Sequence, residues 1–174
     1  YKNLIMIKKP ILIRKKKYLD KRGFFQEIYL LKEFNIKIIF SAIAYSKKRV
    51  IRGLHFQTVK KQTKVINVAK GKILDICVNL NKKSKNFGRV YKYTLKEGDS
   101  LIVPNNFAHG YECLSRDCLV LYHLDNYRSI KGENGILYND KDLNIKWVTK
   151  KPIISKRDKL NNSFAYFKKK IKTL

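Results

Sequence analysis

A chain of 174 residues buries roughly two-thirds of its unfolded surface on folding, so its size asks for one domain over 1–174 and needs neither a disulfide framework nor a structural metal. Forty Lys and Arg against 13 Asp and Glu give a net charge of +27, yet 8 of the basic residues are Arg and 32 are Lys, scattered along the chain; base readers concentrate Arg, so this distribution argues against a nucleic-acid partner. Cys77, Cys113 and Cys118, odd in number and set in apolar runs, read as reduced core thiols of a cytoplasmic protein.

The first apolar stretch, 4–13, is broken by Lys8, Lys9 and Pro10 and falls far short of the ~20 residues of a membrane span. Residues 3–7 and 11–16 read as short strands, followed by a turn at Asp20-Lys21-Arg22-Gly23 and an extended piece, 23–27, leading into a short helix over 28–34. Segments 37–46 and 50–57 are expected as paired strands joined by a basic turn at 47–49. After a polar loop, 58–61, segments 63–69 and 72–80 bracket Lys70-Gly71 as a hairpin. A long turn, 81–88, precedes strands at 90–95, 100–103, 108–114 and 118–123. Short strands at this spacing predict an all-β sandwich or barrel. Beyond 126 the pattern is irregular, with a short helix opening at Ser155 and a basic tail from about 160. That tail contains Lys168-Lys169-Lys170 and is expected to be a solvated or frayed end.

Chemistry gathers in R-V-I-R-G-L-H-F-Q, Arg49 to Gln57. Alternation puts Ile51, Gly53, His55 and Gln57 on one face and Val50, Arg52, Leu54 and Phe56 on the other. A histidine beside a glycine, with a guanidinium near, suits a general base facing a bound anion; taken alone, the stretch better describes a core histidine satisfied by a backbone carbonyl. His109 and Tyr122 are further acid/base candidates, and Lys64 offers a fixed positive charge. In a small barrel, residues from distant strands converge on the interior.

Gly98-x5-Pro104-x-Asn106-x2-His109 resembles the second motif of the cupin superfamily. Metal-binding cupins carry a His-x-His pair and a downstream Glu, whereas the matching place here reads His55-Phe56-Gln57. Two imidazoles and an amide suit a divalent metal poorly, so a site without metal or cofactor is expected. Further blocks are R-G-L-H-F-Q from Arg52, Gln62-Thr63-Lys64, S-K-N-F-G from Ser84, V-P-N-N-F-A-H-G from Val103, Leu121-Tyr122, G-I-L-Y-N-D from Gly135 and S-K-R-D from Ser155. Together, in order, they resemble the dTDP-4-dehydrorhamnose 3,5-epimerase family.

The resemblance implies a cupin-type jelly roll with short flanking helices, assembled as a homodimer. It further implies inversion of C3 and C5 of a nucleotide-linked 4-keto-6-deoxyhexose. His55 would be the base, oriented by Asp158; Tyr122 the acid on the opposite face; Lys64 the cation for the enolate oxygen. Arg52, Gln57 and His109 match substrate-binding positions, Tyr127 the aromatic stacked on the nucleobase, and Glu133 and Arg157 two further contacts. Arg22, Phe25 and Glu27 match a block that reaches the neighbouring subunit's site. The chain also departs from the family. Phe40 and Ala42 stand where Gln and Asn are usual, Arg49 replaces a glycine, Arg128 a tyrosine, Tyr138 a tryptophan and Arg157 a lysine. These departures bear on specificity rather than on proton transfer.

Overall fold

The computed structural model describes residues 7–29 and 31–170. In chain order its strands are β1 (Ile11–Arg14), β2 (Tyr18–Asp20), β3 (Gly23–Phe25), β4 (Phe40–Lys47), β5 (Ile51–Gln57), β6 (Lys64–Lys70), β7 (Lys72–Asn79), β8 (Val90–Lys96), β9 (Asp99–Val103), β10 (Phe107–Cys113), β11 (Asp117–Leu124) and β12 (Glu133–Gly135). Its helices are α1 (Leu31–Phe34), α2 (Lys156–Lys159) and α3 (Phe164–Lys170). The expected strand at 3–7 lies, apart from Ile7, outside the described residues, and the expected helix over 28–34 is reduced to α1.

Two five-stranded antiparallel sheets form, ordered β1-β9-β6-β11-β4 and β12-β5-β10-β7-β8, while β2 and β3 pair as a separate hairpin. Between β4 and β11 each strand is followed by one in the other sheet, except that β7 pairs with β8. This is the cupin-type jelly roll.

The topology corrects two expectations. The segment 37–46 does not pair with 50–57: β4 lies against β11, and β5 lies between β12 and β10. Nor is Lys70-Gly71 a hairpin turn, since β6 and β7 belong to different sheets. Both turns are corners carrying the chain from one sheet to the other. At the first, Arg49 has φ 70°, a left-handed conformation that favours the glycine it replaces in the family pattern. At the second, Gly71 has φ 85° and its missing Cβ would lie 2.4 Å from the Asp117 carbonyl oxygen.

Strand alternation sorts the apolar residues into three layers. Ile66, Val68, Ile73, Cys77, Leu101, Phe107, Tyr111 and Val120 fill the space between the sheets. Val65 and Ile102, with Ile13 and Ile36, cover the outer face of the first sheet. On the outer face of the second, Leu54, Phe56, Ile76 and Val78 meet Ile136, Leu143, Phe164 and Phe167. Within the described residues the tail is therefore packed through α3 rather than frayed. Lys168, Lys169 and Lys170 are exposed, as expected, but Phe164 and Phe167, three apart on α3, face the core together. The three cysteines are buried and free. Among the described residues, no helix is long and apolar enough to cross a membrane.

Candidate active site

Between the sheets the inward residues change from apolar to polar, and there a cavity of about 600 Å³ opens. Arg52, His55 and His109 reach it from the second sheet, Lys64 and Tyr122 from the first, and Arg157 and Asp158 from α2.

Strict alternation would send Arg52 and His55 to opposite faces of β5. The pairing with β10 shows why both face the cavity: Arg52 lies opposite Tyr111 and His55 opposite His109, with the register shifting between them. Two residues of β5, Gly53 and Leu54, thus span one of β10, a bulge that re-aims the side chains beyond it. Glycine is required on both sides of this contact. A Cβ on Gly53, whose φ is 123°, would lie 2.6 Å from the Gly110 Cα, and one on Gly110 would lie 2.6 Å from the Arg52 carbonyl oxygen.

His55 is held from the far side of the chain. Its Nε2 lies 2.6 Å from Asp158 Oδ1, and the Gly53 amide donates to Asp158 Oδ2 at 3.3 Å. The Asp158 amide in turn donates to Ser155 Oγ, the N-cap of α2, at 3.0 Å. Burial alone would raise the Asp158 carboxyl, but His55 and the Gly53 amide outweigh it and hold the group below the ordinary carboxylate range. The imidazole is one-third exposed, at 34%, while Asp158 is buried. This leaves the ring open to a ligand on one edge and fixed by a carboxylate on the other.

Lys64 donates to the His55 carbonyl oxygen at 3.2 Å, which ties the two sheets together across the cavity. Burial pushes its ammonium down to about 8, with Cys77, Asp75 and Glu133 offsetting only part of that. Tyr122 projects from the sheet opposite His55, its ring 6.1 Å from that of His109 and nearly perpendicular to it. Burial raises the Tyr122 phenol well above its ordinary value, so it stays protonated. His109 is buried, with Nε2 2.8 Å from Asp75 Oδ2. Asp75 was not anticipated, although a lone carboxylate sharing a face with Ile73 and Cys77 on an apolar strand signals a buried partner. Arg52 donates through Nε to Ser46 Oγ and through Nη2 to the Tyr45 carbonyl oxygen, both at 2.9 Å.

A smaller cavity of about 230 Å³ adjoins the first, sharing Ala42, His55, Lys64 and Tyr122 with it. Gln57 borders this space, but its amide is committed to loop backbone. Nε2 donates to the Lys60 carbonyl oxygen at 2.6 Å, and Oε1 accepts from the Ser129 amide at 2.7 Å. Here Gln57 braces the loops rather than reaching for a ligand. Glu133 joins two guanidiniums, Arg128 at 2.7 Å and Arg157 at 3.0 Å. Tyr127 is exposed and stacks on Phe40, with centroids 6.2 Å apart and planes 7° from parallel. Arg22, Phe25 and Glu27 do not join the cavity. They are exposed on or beside the hairpin of β2 and β3, and Arg22 is paired with Asp20 at 2.6 Å. Among the described residues, no three His, Cys, Asp or Glu side chains converge as metal ligands.

The sequence matches the family of dTDP-4-dehydrorhamnose 3,5-epimerases over residues 5–166. A protein of that name from Salmonella typhimurium is 34% identical over 169 residues, covering 89% of this chain and 92% of its own. The solved dTDP-4-dehydrorhamnose 3,5-epimerase of Bacillus anthracis, with TDP and pyrophosphate bound, is similar with a TM-score of 0.85 and 36% identity, over 88% of this chain and 93% of that one. The dTDP-6-deoxy-D-glucose-3,5-epimerase of Legionella pneumophila, in complex with dTDP-4-keto-L-rhamnose, is similar with a TM-score of 0.86 and 28% identity, over 90% and 88%.

Proposed function

The chain belongs to the dTDP-4-dehydrorhamnose 3,5-epimerase family, and from that premise we propose that His55 and Tyr122 carry out its proton transfers on a dTDP-linked 4-keto-6-deoxyhexose. Epimerisation beside a ketone removes a proton from one face of the sugar and returns one to the other. The observation that carries the reading is His55 on one sheet and Tyr122 on the opposing sheet, with the Lys64 ammonium lining the same cavity.

His55 takes the proton at C3 and at C5, while Asp158 on Nε2 stabilises the imidazolium. Charge moves to the C4 oxygen, where the Lys64 ammonium meets it; a fixed cation aimed at developing charge is usually the largest catalytic contribution. Tyr122, kept protonated by burial, reprotonates the enolate from the other face. Arg52 and His109 position the sugar, His109 through its bond to Asp75. The chemistry calls for no metal or cofactor, because a ketone already acidifies both neighbouring carbons.

The same reading makes the chain a cytoplasmic homodimer in deoxysugar biosynthesis. The free, buried cysteines suit a reducing compartment. The exposed apolar residues Tyr18, Leu19, Phe24 and Phe25 on the hairpin suit a partner subunit.

Solvent deuterium incorporation into dTDP-4-keto-6-deoxyglucose, followed by NMR, tests the function. Exchange is expected at both C3 and C5 and should fall about 10²- to 10⁴-fold in His55→Asn. Exchange at one carbon alone would make the chain a single-carbon epimerase. Full exchange in His55→Asn would remove His55 as the base.

A further inference from the structure

We infer that Arg128 binds the diphosphate of the sugar nucleotide, supplying from the loop before β12 the polar contacts that Phe40 and Ala42 on β4 do not make. The inference rests on the nucleotide-sugar reading above. Phe40, Ala42 and Arg128 line the same small cavity, which opens into the catalytic one beside His55, Lys64 and Tyr122. On its β4 side a phenyl ring and a methyl group offer no hydrogen bond to a phosphate. The same cavity is lined by a guanidinium, that of Arg128, the side chain best shaped for phosphate oxygens.

Arg128 is held for this role. Its Nε and Nη2 donate to Glu133 Oε2 at 3.1 and 2.7 Å, which uses two of the five N–H donors and leaves the others free to face a ligand. The other oxygen of Glu133 holds Arg157 at 3.0 Å. Two guanidiniums on one carboxylate leave a net positive charge, with Arg157 on the catalytic cavity and Arg128 on its neighbour. Both guanidinium side chains are well exposed, 62% for Arg128 and 49% for Arg157, while Glu133 is largely covered at 19%. The acid is thus the buried anchor and the bases the accessible ends. Phe40 is in turn committed to Tyr127, the residue next to Arg128, by their parallel stacking. The departures at 40, 42 and 128 thus meet around one small cavity.

Calorimetric titration with dTDP, paired with NMR titration of thymidine, tests the inference in wild type, Arg128→Gln, and Arg128→Gln combined with Phe40→Gln and Ala42→Asn. Arg128→Gln should weaken dTDP about 10- to 50-fold, the worth of a charge-assisted hydrogen bond, and leave thymidine unchanged. With the sugar nucleotide it should raise KM while kcat stays within about threefold. The triple variant should recover part of the lost dTDP affinity. Undiminished dTDP affinity in a folded Arg128→Gln would overturn the inference, as would equal losses for dTDP and thymidine, which would mean that Arg128 only steadies Glu133. A triple variant with no recovery would overturn the exchange of contacts between β4 and the loop before β12. Wild type that binds neither dTDP nor UDP, GDP or CDP would remove the nucleotide-sugar reading itself.

Discussion

Lys64 is a residue whose proposed catalytic role and whose contribution to stability run in opposite directions with pH. Burial lowers its ammonium from an ordinary 10.5 to about 8. As pH rises through about 8 the folded chain sheds this proton, while the unfolded chain keeps it to about 10.5. In that window the unfolded state binds more protons, so this residue's contribution to stability rises with pH. The cation proposed to meet the enolate is lost over the same range. Turnover is therefore expected to fall above pH 8 while the stability difference between wild type and Lys64→Met shifts in favour of wild type. A pH-rate profile, with urea melts of both proteins at each pH, measures the two together. A stability difference that stays flat from pH 7 to 10 would mean that Lys64 titrates outside this window. At this scale much of the site was legible. His55, Lys64, His109 and Tyr122 stand out as polar residues on apolar strands, and the S-K-R-D block pointed to Asp158. Asp75 was overlooked because it lies in no recognisable block, although the cost of burying an unpaired carboxylate was reason to look for its partner.

The elements were legible as strands but not as neighbours. Turn residues mark where a strand ends; they do not say whether the next strand returns beside it or crosses to the opposing sheet. At Arg49 and at Gly71 the chain crosses. The bulge at Gly53 was hidden for a related reason, since period-2 reading assumes an uninterrupted ladder and the interruption lies in the partner strand's register. The C-terminal helix was masked by its own charge. Three consecutive lysines dominate α3, whereas its position is set by Phe164 and Phe167. Phe167 is 2% exposed and lies edge-on to Phe56, the residue after His55, at 5.4 Å. Phe167→Ala is expected to lower stability by about 3–5 kcal/mol, whereas Lys169→Ser or Lys170→Ser should stay within about 0.5 kcal/mol. Urea denaturation midpoints decide it. A Phe167→Ala variant as stable as the lysine variants would mean that the helix is loosely held.

For the whole molecule, the proposed homodimer would have to hold together two copies carrying a net charge of +27 each and would complete each site from the neighbouring chain. Repulsion between exposed charges is screened beyond about 8 Å at physiological salt, so a compact apolar contact can outweigh it. The hairpin of β2 and β3 presents such a contact, with Leu19 79% and Phe25 68% exposed. It also carries Arg22 and is followed closely by Glu27, neither of which reaches the cavity of its own chain. If these residues serve the neighbouring site, a variant lacking the base and a variant lacking the hairpin contacts should complement each other. His55→Asn keeps its hairpin, and Arg22→Ala combined with Glu27→Gln keeps its base, so a mixed dimer holds one complete site although neither parent dimer holds any. Mixing the two at equal concentration and allowing exchange should restore about a quarter of the wild-type activity in a two-fold symmetric dimer, and sedimentation should give twice the chain mass. Activity no greater than the sum of the separate variants, from material that sediments as a dimer, would confine Arg22 and Glu27 to their own subunit's surface.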